Sequence, residues 1–344
     1  MTDRNRILQK TAGGLDVFVH YLGEGCKNRL FRNPFREDGH PSCCLRQRTS
    51  SDGSVRYVMK DYGDSSWYGD CFWLVARLSN LDSGTDFREV LRIIDSELNL
   101  FVLDDRSSVE HTMLQKVQPS DTLVSSGGML TARTVYQRMM KAEQSFWSAY
   151  GIGQDTLERF GVRCVATCRL TRPDGTGFTV RSRAGHPVFS YTFEGYDGQK
   201  LYMPGSNLRF LYAGHLPHPY VFGLRQLPET ADTVFITGGE KDVMSLSAHG
   251  FPAVCLNSET ARIPGALLDA LAGRFKEAVI LYDTDDTGRR ESALRVAEHR
   301  GPLSLYRLDL PLAGTKAEKD VSDFFRGGRD AAALAALVAG IPRP

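Results

Sequence analysis

The sequence lacks any Cys-x-x-Cys pair, any GxxxxGK[ST] loop, any internal repeat and any apolar run near the roughly 18 residues a membrane span needs. Each absence excludes a class. Without cysteines paired at ligand spacing, a closed four-ligand zinc site is not expected. The seven cysteines, an odd number scattered at Cys26, Cys43, Cys44, Cys71, Cys164, Cys168 and Cys255, read as buried thiols of a reducing compartment and not as a disulfide framework. No membrane span is expected, and MTDRNRILQK has no apolar core of a signal peptide, so the reading is a cytoplasmic protein. The missing GK[ST] loop excludes an NTP-driven motor from this chain. Charge of one sign is also lacking: the net charge is +1, so any nucleic-acid surface has to come from local clustering of Lys and Arg.

What is present is an ordinary globular composition, 42% hydrophobic and 24% charged over 344 residues, which suits two or three domains of about 100–150 residues each. From Phe31 to Leu81, short strand-like runs such as Arg56 to Lys60 precede CFWLVARL, which reads as a helix; this is a small α+β module. FREVLRIIDSELNL, from Phe87 to Leu100, puts its apolar residues on one helical face, and from Asp104 to Leu130 periodicity disappears. A second α+β block follows, with a helix carrying Val135, Met139, Phe146 and Trp147, a short helix around Leu157 to Phe160, and strands at His186 to Phe193 and Lys200 to Met203.

The last block begins near Thr230. Strand VFIT (Val234 to Thr237) meets Gly238-Gly239 and a helix ending near His249-Gly250, and strand FPAVCL follows. A helix around Leu267 to Leu271, strand AVILY (Ala278 to Tyr282), the loop DTDDTG, a helix through Ala297 and strand LSLYRL (Leu303 to Leu308) complete it. Short apolar strands alternating with helices predict a parallel sheet joined by right-handed crossovers. The expected boundaries are an N-terminal module over 1–105, a linker over 106–130, a middle subdomain over 131–229 and the α/β block over 230–344.

In an open parallel sheet ligands sit beyond the carboxyl ends of the strands, where the acidic residues of this block fall. Asp283, Asp285 and Asp286 follow the strand ending at Tyr282; Glu240 and Asp242 follow VFIT; Asp320 and Asp323 lie in KDVSDFF. Carboxylates this close repel unless solvated, protonated or holding a cation, and an open acidic loop suits Mg²⁺, which keeps waters and substrate phosphates as ligands. Taken singly, Asp286-Thr287 reads equally as a helix N-cap and Lys319-Asp320 as a solvated turn. The joint pattern favours a metal site.

ITGGEKDVMSLSAHGF, then ILYDTDDTGRR, then KDVSDFF resembles the Toprim domain shared by bacterial-type primases, phage primase-helicases, topoisomerases and some nucleases, over Thr230 to Arg326. The resemblance implies an α/β fold whose C-terminal Toprim parallel sheet is flanked by helices, with Asp283 and Asp285 as its DxD pair, Asp242 as the aspartate of its first motif and Asp320 as its late acidic position. The family's strand-end glutamate belongs at 238, where this chain has Gly238; Glu240 and Glu259 are the two candidates to replace it. Upstream, RNPFREDGHPSC and YVMKDYGDSSWYGDCFWLVARL are similar to the N-terminal zinc ribbon of primases, with Asn33 and Arg36 at ligand positions, which implies a zinc-free derivative. YGIGQDTLERFGV and QKLYMPGSNLRF are similar to the first half of the primase polymerase core.

The resemblance therefore implies a DNA primase that makes short RNA primers by two-metal nucleotidyl transfer. Its catalytic group is Glu240 or Glu259 with Asp242, Asp283 and Asp285; Asp283, Asp285, Asp320 and Asp323 are the expected ligands of Mg²⁺ or Mn²⁺. Lys200, Arg209, Lys241, Arg32, Arg36 and Trp67 are the expected contacts to nucleotide or template, although Lys200 and Arg209 also read as solvated cations and Trp67 as core. The implied partners are single-stranded DNA, NTPs and a separate replicative helicase, with a phage or mobile-element origin. The alternatives are a Toprim nuclease, which needs no NTPs, and a catalytically silent single-stranded DNA-binding homologue.

Overall fold

The structure is a computed structural model that describes residues 2–343 except 34, 36–39, 50–54, 80, 99, 104–129, 174, 176, 207 and 316. The expected linker at 106–130 thus lies, but for Leu130, outside the described residues, as does Arg36. The helices are α1 (Asp3–Lys10), α2 (Leu15–Leu22), α3 (Cys71–Leu78), α4 (Phe87–Glu97), α5 (Lys141–Ser148), α6 (Gln154–Arg159), α7 (Glu240–Ala248), α8 (Gly265–Ala272), α9 (Asp286–Glu298), α10 (Val321–Arg326) and α11 (Ala331–Ala339). The strands are β1 (Cys43–Thr49), β2 (Val55–Asp61), β3 (Tyr68–Asp70), β4 (Thr131–Tyr136), β5 (Val162–Thr171), β6 (Gly177–Arg181), β7 (Val188–Thr192), β8 (Gln199–Tyr202), β9 (Phe210–Ala213), β10 (Ala231–Thr237), β11 (Ala253–Cys255), β12 (Phe275–Leu281) and β13 (Ser304–Arg307).

Two compact units divide the chain. The first comprises Met1–Gln137, Val165–Ser190 and Gly198–Gly214. In it β1, β2 and β3 form an antiparallel sheet with Arg46 opposite Val58 and Lys60 opposite both Cys44 and Tyr68. Alternation along these strands separates two faces. Cys43 and Met59 are fully buried on one, while Arg46, Arg48 and Arg56 stand exposed on the other. Helix α3 starts where Asp70 accepts from the Trp73 N–H at 3.0 Å, and its apolar residues join α2 and α4 in a core that includes Phe18, Tyr21 and Phe72. A six-stranded sheet in the order β4-β5-β7-β8-β9, with β6 beside β5, supplies the rest.

Here the helix expected through Val135 is corrected. Residues Thr131–Tyr136 form strand β4, antiparallel to β5, and the helix begins only at Lys141. TARTVY is rich in β-branched and aromatic residues and its burial alternates along the strand, so Val135 is on the exposed side and its apolar spacing to Met139 does not mark a helical face.

The second unit comprises Arg138–Cys164, Tyr191–Asp197 and His215–Pro344. Its four-stranded sheet has the order β11-β10-β12-β13 and is parallel throughout, the arrangement predicted from the alternating strands and helices. Val234, Ile236, Val254, Ala278 and Ile280 are fully buried in its core with Leu268 and Leu271 of α8. After β10 the chain leaves toward β11, and after β12 toward β13. The loops at the carboxyl ends of β10 and β12 therefore diverge and leave a crevice between them, the usual ligand position of an open parallel sheet.

Candidate metal centre

The turn after β10, the loop after β12 and the start of α10 meet at that crevice. Asp242 lies in the first turn of α7, 5% exposed, and accepts the Ser322 hydroxyl proton at 2.5 Å. Asp283 follows β12. Asp320 is the N-cap of α10 and accepts from the Asp323 N–H at 2.8 Å. One carboxylate oxygen from each of Asp242, Asp283 and Asp320 lies within 4.8 Å of the other two, and among the described residues no other group of three His, Cys, Asp or Glu side chains does this. The loops are fixed by backbone contacts. The Thr284 N–H donates to the Lys319 carbonyl at 2.8 Å, and a Cβ at Gly288 would stand 2.1 Å from the Asp283 carbonyl, so only glycine lets α9 approach the acidic loop this closely.

Two lysines neutralise the carboxylates. Lys241 Nζ reaches Asp320 Oδ1 and Oδ2 at 3.1 and 3.0 Å and Asp242 Oδ1 at 3.5 Å, and sits 4.4 Å from the centre of the Tyr150 ring. Lys319 Nζ pairs with Asp283 and, at 3.0 Å, with Asp285. Burial, reinforced by Asp320, drives the Asp242 carboxyl well above its usual range, and burial also raises Asp283 against the opposing pull of Lys319. Burial pushes Asp285 upward too, but the Gly288 N–H and Lys319 outweigh it and hold that carboxyl below the ordinary value.

The remaining expected residues divide clearly. Asp285 caps α9, accepting from Thr287 and Gly288 N–H groups at 3.1 and 3.0 Å, so the cap read for Asp286 belongs one residue earlier. Asp323 accepts from the Lys319 N–H at 3.0 Å and pairs with Arg326 at 2.7 Å, outside the trio. Glu240 opens α7, 2% exposed, and accepts the Tyr220 hydroxyl proton at 2.5 Å. Glu259, in the loop after β11, accepts the Asp283 N–H at 2.7 Å; burial and then the Asp283 charge push it up to about 7.

In the first unit, Trp67 is placed in the core, not on a reading surface: it is 2% exposed, stacked on Phe35 at 5.6 Å, with the Arg77 guanidinium 4.3 Å from its ring centre. Lys200, 2% exposed, has its ammonium 4.2 Å from the centre of the Phe210 ring, so it is no solvated cation. Arg209 donates to the Tyr202 hydroxyl at 3.3 Å, and Arg32 is exposed before β1. The sequence reading missed a basic face on the hairpin. Arg46, Arg48, Val58, Lys60, Asp61, Ser65 and Tyr68 line a groove of about 420 Å³, and Tyr62, 53% exposed, lies under Lys60 at 4.6 Å and Arg46 at 5.6 Å. Its signal was the period of two in RQR and VRYVMK, which places the cations on one side of paired strands.

The second unit thus combines a four-stranded parallel sheet with acidic loops at its strand ends. Solved structures similar to the chain include a primase fragment of the bacteriophage T7 primase-helicase protein, 17% identical over 64% of this chain and 83% of that one, with TM-score 0.42. They include the Aquifex aeolicus primase zinc-binding and RNA polymerase domains, 14% identical over 98% and 85% of the two chains with TM-score 0.42, and a Pseudomonas aeruginosa DNA primase domain, 15% identical over 59% and 73% with TM-score 0.45. No family model matches the sequence, and no curated protein does.

Proposed function

We propose that the chain is a primase-type nucleotidyltransferase that makes short RNA primers on single-stranded DNA. The observation that carries this reading is the convergence of Asp242, Asp283 and Asp320 from three separate elements on the crevice between β10 and β12. A donor set of carboxylate oxygens alone fits a hard divalent cation, Mg²⁺ or Mn²⁺, and does not suit a soft one. When bound, the cation polarises the phosphate under attack and neutralises the charge that develops on it. The chain's own residues do the rest. Asp242, Asp283 and Asp320 would hold the ion, Ser322 fixes Asp242, and Asp285 orients the acidic loop by capping α9. Lys241 and Lys319, which neutralise the carboxylates when no ion is present, would pass their ammonium groups to the phosphates of the NTP. In the reaction a 3′-hydroxyl oxygen loses its proton to solvent and bonds to the α-phosphorus while the bond to pyrophosphate breaks.

The basic face of the β1–β3 sheet would hold the template, with Arg46, Arg48, Arg56 and Lys60 on phosphates and Tyr62 and Tyr68 under unpaired bases. We infer further that the protein works without stoichiometric zinc beside a separate helicase, as a cytoplasmic protein of phage or mobile-element type. Among the described residues no helix is long and apolar enough to cross a membrane. One observation favours a second reading: the Lys241 ammonium already bridges Asp242 and Asp320, which suits a silent homologue that binds template only. Incubation with single-stranded DNA, labelled NTPs and Mg²⁺ separates these. RNA products support the primase; cut DNA without NTPs identifies a nuclease; binding with neither identifies the silent homologue.

A further inference from the structure

Gly238 and Glu259 occupy one place. The strand pairing sets Thr237 of β10 beside Cys255 of β11, so the turn at 238 and the loop carrying Glu259 leave the sheet as neighbours. A Cβ built on Gly238 would lie 2.3 Å from Glu259 Oε1, 3.0 Å from its Cδ and 3.1 Å from its Cγ, and these are its three nearest contacts. Gly238 is not among the glycines with positive φ, so a left-handed backbone is not what calls for glycine there. The side chain of Glu259 fills the space that a Cβ at this position would take. One oxygen of that carboxylate accepts the Asp283 N–H at 2.7 Å, and its other oxygen makes no hydrogen bond or ion pair with the described residues.

Resting on the nucleotidyl-transfer reading above, we propose that Glu259 is the fourth functional carboxylate of this site, reaching from the adjacent strand end across the bare backbone of Gly238. One oxygen positions Asp283 through its N–H, and the second is offered to the bound cation and substrate. Glu240 is a different case, because its Oε1 is engaged by the Tyr220 hydroxyl within the unit. The acidic group and the glycine therefore form an exchangeable pair: either position can carry the carboxylate, but not both.

The experiment is a relocation in the full chain, read by Mn²⁺ binding in electron paramagnetic resonance titrations and by NTP incorporation, with melting temperatures in chelator to verify folding. Glu259→Gln should weaken Mn²⁺ at least fivefold and lower incorporation by roughly 10–100-fold, the scale of losing a group that orients a metal ligand. Gly238→Glu alone should weaken Mn²⁺ as well, because two carboxylates compete for one space. Gly238→Glu combined with Glu259→Gly should recover Mn²⁺ affinity to within about twofold of wild type. Glu240→Gln, which keeps an acceptor for Tyr220, should change it less than twofold. Mn²⁺ affinity unchanged in Glu259→Gln, or a folded double variant no better than Glu259→Gln, overturns the proposal. Absence of incorporation in the wild type overturns the primase reading instead, and leaves the Mn²⁺ comparison to decide on Glu259.

Discussion

Lys241 shows how one residue can mask the chemistry of its neighbours. Its ammonium lies against Asp320 and Asp242 with side-chain exposure of only 12%, so it is a resident counter-charge for a cluster that otherwise repels itself. Lys241→Met should tighten Mn²⁺ binding about tenfold, ~1.4 kcal/mol, by removing a competing cation. It should also lower the melting temperature in chelator, because Asp242 and Asp320 lose their partner. A titration and a thermal melt check both, and weaker Mn²⁺ binding would show that the lysine assists the ion. The same carboxylates predict a pH dependence. Asp242, Asp283 and Glu259 are raised, the last to about 7, so the folded chain keeps protons that the unfolded chain releases above about pH 4.5. Their contribution is full below that value and is lost as each carboxyl ionises in the fold, for Glu259 as pH rises through about 7. In chelator the melting temperature should therefore be higher near pH 5.5 than near 7.5, and Mg²⁺ should stabilise more at the higher pH, where the carboxylates are ionised. A melting temperature that rises with pH in chelator would contradict this.

At the scale of elements, the second unit was largely legible in the sequence. Its strands are apolar runs punctuated by glycine, and β10, β12 and the acidic loop fall where VFIT, AVILY and DTDDTG place them. What pattern could not supply was lateral order. That β11 lies beside β10, and so delivers Glu259 to Gly238, depends on a pairing between strands that no local spacing encodes. The first unit was less legible for a different reason. Trp67 and Lys200 have side chains that suit a surface and a core equally, and only the packing of Phe35 and Phe210 against them decides. The basic hairpin gives the corresponding prediction. Arg46→Ala and Arg48→Ala should each leave the fold intact and reduce the salt dependence of single-stranded DNA binding by about 0.7 in log–log slope. Trp67→Ala should instead cost roughly 3–5 kcal/mol of stability. Filter binding across a salt series with parallel denaturation curves tests this, and unchanged slopes in both arginine variants would remove the face from the template path.

For the molecule as a whole, near-neutral net charge conceals two opposite local charges, a basic sheet face in the first unit and an acidic crevice in the second. A template-directed polymerase needs both, since one binds a polyanion and the other concentrates cations for its chemistry. The most direct test of this account is incorporation of labelled NTPs on unprimed single-stranded DNA with Mg²⁺, in the wild type and in Asp283→Asn. The account predicts short RNA products from the wild type that require Mg²⁺ or Mn²⁺, and none from a folded Asp283→Asn variant. Wild-type protein that binds the DNA but yields no product with either ion, or an Asp283→Asn variant that synthesises as well as wild type, would contradict it.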